Sequence, residues 1–272
     1  MAVPSWIYDI LCPLLGVIIC TTMFLSPIVV IRKAISNKDL GDLNPLPWLA
    51  IIFNCFGGAL YGCMRRNFFI FWSNFPGLLS GIYCVHSAIK ILSSQSECQS
   101  SARKLKLIEG VFYAVVVFWG LVSMIISLIL GTSRSQREIA AFMVGAICCF
   151  TALTYYIAPL IAMFHIIRIR NSSSLYPPTV IANFTNSLLW FIYGSVLMDP
   201  LIWIPNVVSL VLTIAQILLC VIYWPYDINQ IMIYKHTLLG NTPRSTSDDA
   251  KDTTANDVPD GGESEVDIQD SC

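Results

Sequence analysis

The chain has 272 residues, 56% of them hydrophobic and only 12% charged, with a mean hydropathy of +0.67 and a formal net charge of −1. Soluble domains run about 25% charged, so the composition excludes an ordinary water-soluble core, and the near-zero charge points to no nucleic-acid partner. The ten cysteines lie mostly in or beside apolar runs and show no CxxC pair or Cys/His spacing, which reads as small packing residues and predicts neither a disulfide framework nor a metal or other cofactor.

Taken in order, the apolar runs predict an all-α membrane protein. Residues 1–9 carry Asp9 and no Lys or Arg, so the first run reads as a retained span with its N-terminus outside, since a cleaved signal peptide wants a positive start. Span 1 is expected over about 10–31 and contains Pro27. Proline lacks an N–H and frees the carbonyl four residues earlier, that of Met23. Span 2 follows over about 47–63, then the short turn Arg65-Arg66-Asn67, then span 3 over about 68–89. A polar connector leads to span 4, about 107–130, which is uniformly apolar and has no internal counterpart. Span 5, about 139–167, holds Pro159, which frees the carbonyl of Tyr155. Spans 6 and 7 lie between Ser174 and Tyr223, joined at Met198-Asp199-Pro200. Each is long enough for a bilayer core, which needs about 20 residues. Residues 226–272 are polar and acidic and predict a cytosolic tail without a core of its own.

The chain repeats itself. Pro27 and Pro159, Asn54 and Asn186, Tyr61-Gly62 and Tyr193-Gly194, and Asn74 and Asn206 are each 132 residues apart, while Pro47 and Pro178 are 131 apart. A single register through both halves predicts a first three-helix unit at 10–92, a linker span at 106–130 and a second three-helix unit at 139–225. With one span between them, both units start on the same side, so this 3+1+3 arrangement makes the repeats parallel. Of the 16 Lys and Arg residues, only Arg65, Arg66, Arg134 and Arg137 fall outside when the N-terminus is outside. The positive-inside rule therefore predicts a cytosolic C-terminus.

No hydrolase, metalloprotease or phosphate-loop motif is present, which argues against an enzyme. No Asp or Glu lies deep in a span. Ion-coupled carriers usually need such a group, so the expectation is passive movement of a neutral solute. Depth points to the place. Trp190 and Asn206 are symmetric about the 198 turn, Gly58 and Asn74 about the 66 turn, so all four share one level. Paired asparagines offer uncharged donors and acceptors suited to a polyol, Trp190 offers a flat face with a polar handle, and Gly58 leaves room. The alternative use of such asparagines is to hold helices together. Asp199 with Arg65 or Arg66 is the candidate outer gate.

The duplicated proline and asparagine pattern, the YG pairs and Ile204-Pro205-Asn206 resemble the SWEET (MtN3/saliva) family of sugar transporters, over roughly residues 10–225. The resemblance implies two three-helix bundles joined by a linker helix, with facilitated, uncoupled, bidirectional diffusion of mono- or disaccharides by alternating access. It implies substrate binding at Asn74, Asn206, Trp190 and Gly58, further lining by Met23, Asn54, Tyr155 and Asn186, and hinges at Pro27, Pro47, Pro159 and Pro178. The expected partners are a small neutral sugar such as glucose and the lipid bilayer. A homo-oligomer is compatible with the sequence. Two other readings stand beside it: a seven-span receptor, and a PQ-loop carrier of another small solute. Leu238-Leu239 lacks the upstream acid of a dileucine signal, which leaves the plasma membrane as the default and the Golgi or another endomembrane as the alternative.

Overall fold

A computed structural model describes residues 4–41, 43–95, 99–129, 133–172 and 174–223. Every regular element in them is helical. A π-helical turn, Ile7–Leu11, runs into α1 (Cys12–Asn37). It is followed by α2 (Leu46–Met64), α3 (Phe68–Ser94), α4 (Gln99–Ile129), α5 (Arg134–Tyr155), α6 (Ile157–Ile169), α7 (Pro177–Val196) and α8 (Pro200–Ile222). Helices α5 and α6 follow each other through Tyr156, so the described helices make seven rods. Six of the seven are long and apolar enough to cross a membrane. The other, α7, is long enough but diluted by Asn183, Thr185, Asn186 and Ser187. The tail expected at 226–272 lies outside the described residues.

The packing is the same in each unit. Helix α3 packs against both α1 and α2, and α8 packs against α5, α6 and α7, so the third helix is central in both. The units meet through α2 with α5 and α1 with α7, each second helix against the other unit's first. Backbone conformation repeats in the expected register. The described non-glycine residues with positive φ are Lys38, Arg66, Arg170 and Met198, all at 53°, and they form two pairs 132 residues apart. Lys38 ends α1 and Arg170 ends α6 in the left-handed conformation, a common helix terminator. Arg66 and Met198 make the two short turns. Beside those turns Gly62 and Gly194 let the hairpins close: an added Cβ would lie 2.5 Å from the Phe71 nitrogen and 2.9 Å from that of Trp203, respectively.

Three features depart from the sequence expectation. The connector before span 4 is short, because α4 already begins at Gln99 and carries Arg103, Lys104 and Lys106 within its first turns. Span 5 is broken at Tyr156, and Pro159 falls in the first turn of α6, where a missing N–H removes no ladder bond. Pro47 and Pro178 likewise lie in the first turns of α2 and α7. Pro27 alone of the four prolines sits inside a continuous helix, and the Met23 carbonyl it frees accepts from the Ser26 hydroxyl at 2.8 Å.

The linker helix is more than a spacer. It packs on α2 and α3, and Trp119, 2% exposed, donates its indole N–H to the Phe53 carbonyl at 2.9 Å. At the far end of the first unit, Gln95 donates to the Lys38 carbonyl at 3.0 Å, tying α3 to the end of α1. Asp39 accepts there from the Gly41 N–H and from Gln95, which holds its carboxyl below the usual carboxylate range.

Candidate functional site

A cavity of about 220 Å³ lies between the two units. Asn54 and Gly58 of α2, Asn74 of α3, Asn186 and Trp190 of α7 and Asn206 of α8 all line it, joined by Cys20 and Phe24 of α1 and Cys148 and Cys149 of α5. Six of the eight expected substrate-binding residues thus share one space. Met23 is half-buried on α1 and is not among the lining. Tyr155 lines a separate, mostly apolar crevice between α2, α4 and α5. The lining contains no carboxylate, ammonium, guanidinium or imidazole.

The asparagines are oriented in symmetric pairs. Asn74 donates Nδ2 to the Ile70 carbonyl at 2.8 Å, and Asn206 donates Nδ2 to the Ile202 carbonyl at 2.7 Å. Each amide is tied back to its own helix, which leaves its oxygen as an acceptor. Asn54 and Asn186 are held the other way round. Asn54 Oδ1 lies 3.0 Å from the Thr151 hydroxyl of α5, and Asn186 Oδ1 accepts from the Cys20 thiol of α1 at 3.0 Å. Those oxygens are used in bridging the units, and the amide nitrogens remain as donors. The cavity therefore presents the amide oxygens of Asn74 and Asn206 as acceptors and the amide N–H groups of Asn54 and Asn186 as donors, all uncharged.

Gly58 and Trp190 shape the space. A Cβ on Gly58 would collide with the Asn74 carboxamide, so the depth match expected from the 66 turn is a direct neighbour relation, and the space beside Gly58 is taken by Asn74. Trp190 lies over Gly16 of α1, whose added Cβ would stand 2.9 Å from Nε1. The indole nitrogen is buried against α1.

Between the cavity and the two short turns, the units are joined twice by one motif. Asp199 caps α8 through Oδ1, accepting from Leu201 N–H at 3.1 Å, while its Oδ2 accepts from the Tyr61 hydroxyl at 2.5 Å. Asn67 caps α3 through Oδ1, accepting from Ile70 N–H at 3.1 Å, while its Nδ2 donates to the Tyr193 hydroxyl at 2.7 Å. Both tyrosines come from the YG pairs, and Asn67 and Asp199 are themselves 132 residues apart. One bond is charge-assisted and one is neutral. Arg65 Nε stands 3.9 Å from Asp199 Oδ2, whereas Arg66 makes no ion pair with Asp199 and lines a second surface together with Arg65, Arg134 and Arg137. Sequence reasoning named Asp199 and Arg65 but not Tyr61, Tyr193 or Asn67. The signal was the shared register of Asn67 and Asp199, each at the foot of a third helix.

Comparison with known proteins agrees with this fold. The family described as "Sugar efflux transporter for intercellular exchange" matches residues 11–89 and 142–227, one match in each three-helix unit with α4 left out. "Sugar transporter SWEET1" of Drosophila pseudoobscura pseudoobscura is 29% identical over 77% of this chain and 87% of its own length. "Bidirectional sugar transporter SWEET7b" of Oryza sativa subsp. indica is 27% identical over 78% of this chain and 76% of its own. A solved eukaryotic SWEET transporter superposes with a TM-score of 0.68 at 24% identity, covering 80% of this chain and 98% of that one.

Proposed function

Because the chain belongs to the SWEET (MtN3/saliva) family of sugar transporters, matched once in each of its repeats, we propose that it carries a small neutral sugar across a membrane by uncoupled, bidirectional alternating access. The observation that carries this reading is the uncharged donor and acceptor set of Asn54, Asn74, Asn186 and Asn206 in one cavity between the repeats. Sugar hydroxyls both donate and accept, and this set supplies both without a charge to desolvate. Trp190 adds a flat apolar surface to the lining.

Alternating access follows from the repeats. The Tyr61–Asp199 and Asn67–Tyr193 bonds hold the turn end shut, and their release, with rocking of one unit on the other, would open it. Toward the opposite side Pro27 interrupts α1 and is the point where that helix yields, while Pro47, Pro159 and Pro178 stand at helix starts, where the elements pivot on their connections. We place the turn end outside and the C-terminus in the cytosol on the distribution of basic residues, with the plasma membrane as the default location and the Golgi or another endomembrane as the alternative. The deciding test is uptake of labelled glucose by proteoliposomes holding the purified protein, with equilibration to the external concentration as the expected result. Glucose uptake equal to that of empty liposomes, with other hexoses and sucrose equally inert, would defeat the reading.

A further inference from the structure

Arg65 and Arg66 from the α2–α3 turn, and Arg134 and Arg137 from the first turns of α5, line one bowl of about 430 Å³ together with Glu138. They are the four basic residues that the topology puts on the side disfavoured for them. Four guanidinium groups meet one carboxylate in the lining, and that carboxylate is engaged by Arg134 at 3.3 Å. Arg65 reaches Asp199 at 3.9 Å. Arg66 and Arg137 have no ion pair among the described residues.

The fold does not ask for these charges. The equivalent turn of the second repeat is built with Leu197 and Met198, and Met198 has the same φ of 53° as Arg66. The positions of Arg134 and Arg137 correspond in register to Ala2 and Ser5. Like charges gathered in a concavity repel one another, and the positive end of α5 adds to the field. What relieves them is an anion with several oxygens, to which guanidinium groups bond in forked pairs.

We propose that this bowl binds a tetrahedral oxyanion, phosphate or sulfate, and that its occupancy loosens the Tyr61–Asp199 contact by drawing Arg65 away from Asp199. The coupling rests on reading that contact as a gate; the binding does not. Arg65 is shared between the bowl and the carboxylate that Tyr61 bonds, so an anion competing for it leaves Asp199 less well held. By linkage the anion then binds the opened form more tightly. The oxyanion could be dissolved or could be the phosphate of a phospholipid, and the chemistry is common to both.

Binding is read without sugar, so a protein that moves no glucose still answers. Purified full-length protein in phospholipid-free detergent is titrated with sulfate and with inorganic phosphate against chloride at matched ionic strength, following thermal unfolding. In parallel it is reconstituted in phosphatidylcholine vesicles with and without phosphatidic acid. A saturable shift with free anions identifies a dissolved ligand, and a shift with phosphatidic acid alone identifies a headgroup; either supports the site. Arg66→Gln/Arg137→Gln should weaken the response by about tenfold or more, and Arg66→Lys/Arg137→Lys should recover part of it. No shift with any of the three probes, or an undiminished shift in the Gln variant, overturns the site. Glucose exchange should quicken on saturation in wild type and not in the Gln variant. An unchanged wild-type rate at saturation overturns the coupling.

Discussion

The Tyr61 hydroxyl stands 2.5 Å from the buried carboxylate of Asp199 on the other repeat. Asp199 is also the N-cap of α8, so one side chain both starts a helix and fastens it to its neighbour. A hydrogen bond to a charged group is worth about 1.5–3 kcal/mol. Tyr61→Phe should shift the balance toward an open turn end by about tenfold or more. It should also raise labelling of Cys148 by a thiol reagent added from that side. Asp199→Asn restores the neutral pairing seen at Asn67 and Tyr193 and should have the smaller effect. Equal labelling in Tyr61→Phe and wild type would remove the gate.

Asn74 and Asn206 are expected to hold sugar hydroxyls through the oxygens their backbone bonds leave free. Replacing either by Ala should cost about 1–3 kcal/mol of sugar binding, roughly ten- to hundredfold in affinity, with the protein still reaching the membrane. Trp190→Ala should weaken binding more than Trp190→Phe, which keeps a flat face. Ligand-induced thermal shift of each purified variant measures this directly. Wild-type affinity in both asparagine variants would leave those residues as helix-packing groups.

Gly58 should not tolerate even one carbon. Its added Cβ would occupy the place of the Asn74 amide. Gly58→Ala is therefore expected to reproduce the affinity loss of Asn74→Ala, and the double variant should be little worse than either single one. Additive losses would show that the two residues act separately.

The prolines should divide by position. Pro27 interrupts a continuous helix, where alanine would restore a ladder bond and stiffen α1. Pro47, Pro159 and Pro178 lie in first turns, where alanine restores none. Slower glucose exchange is expected from Pro27→Ala, with smaller changes from the other three. Four equal defects, measured at matched surface expression, would contradict this division.

Transport should be uncoupled, since the cavity lining holds no carboxylate or basic side chain. Uptake with and without an imposed pH gradient, at matched internal pH, should reach the same plateau. Gradient-driven accumulation above the external concentration would require a titrating group elsewhere.

Much of this architecture was readable because duplication leaves a register. Asn54, Asn74, Asn186 and Asn206 could be placed at related positions by spacing alone, and the hairpin turns gave Gly58, Asn74, Trp190 and Asn206 a common level. What spacing could not give was direction around a helix. Tyr155 carries a matched proline four residues on, yet its side chain turns to the α4 side. Apolarity also misled at Gln99–Lys106, where a polar segment is helical because α4 extends beyond the apolar stretch. The bonds of Tyr61 and Tyr193 escaped because tyrosine in an apolar run reads as an interface residue until its partner is known.

The seating of Trp119 against α2 has a consequence for dissection of the molecule. Its indole fills the space above Gly57 and bonds Phe53, so α4 is fastened to the first unit although it belongs to neither repeat. The seam between the halves then runs between α4 and α5, making them four rods and three. A chain severed at that seam and co-expressed as two pieces should reassemble. A cut between α3 and α4 would strand the tryptophan's socket on one fragment and its plug on the other.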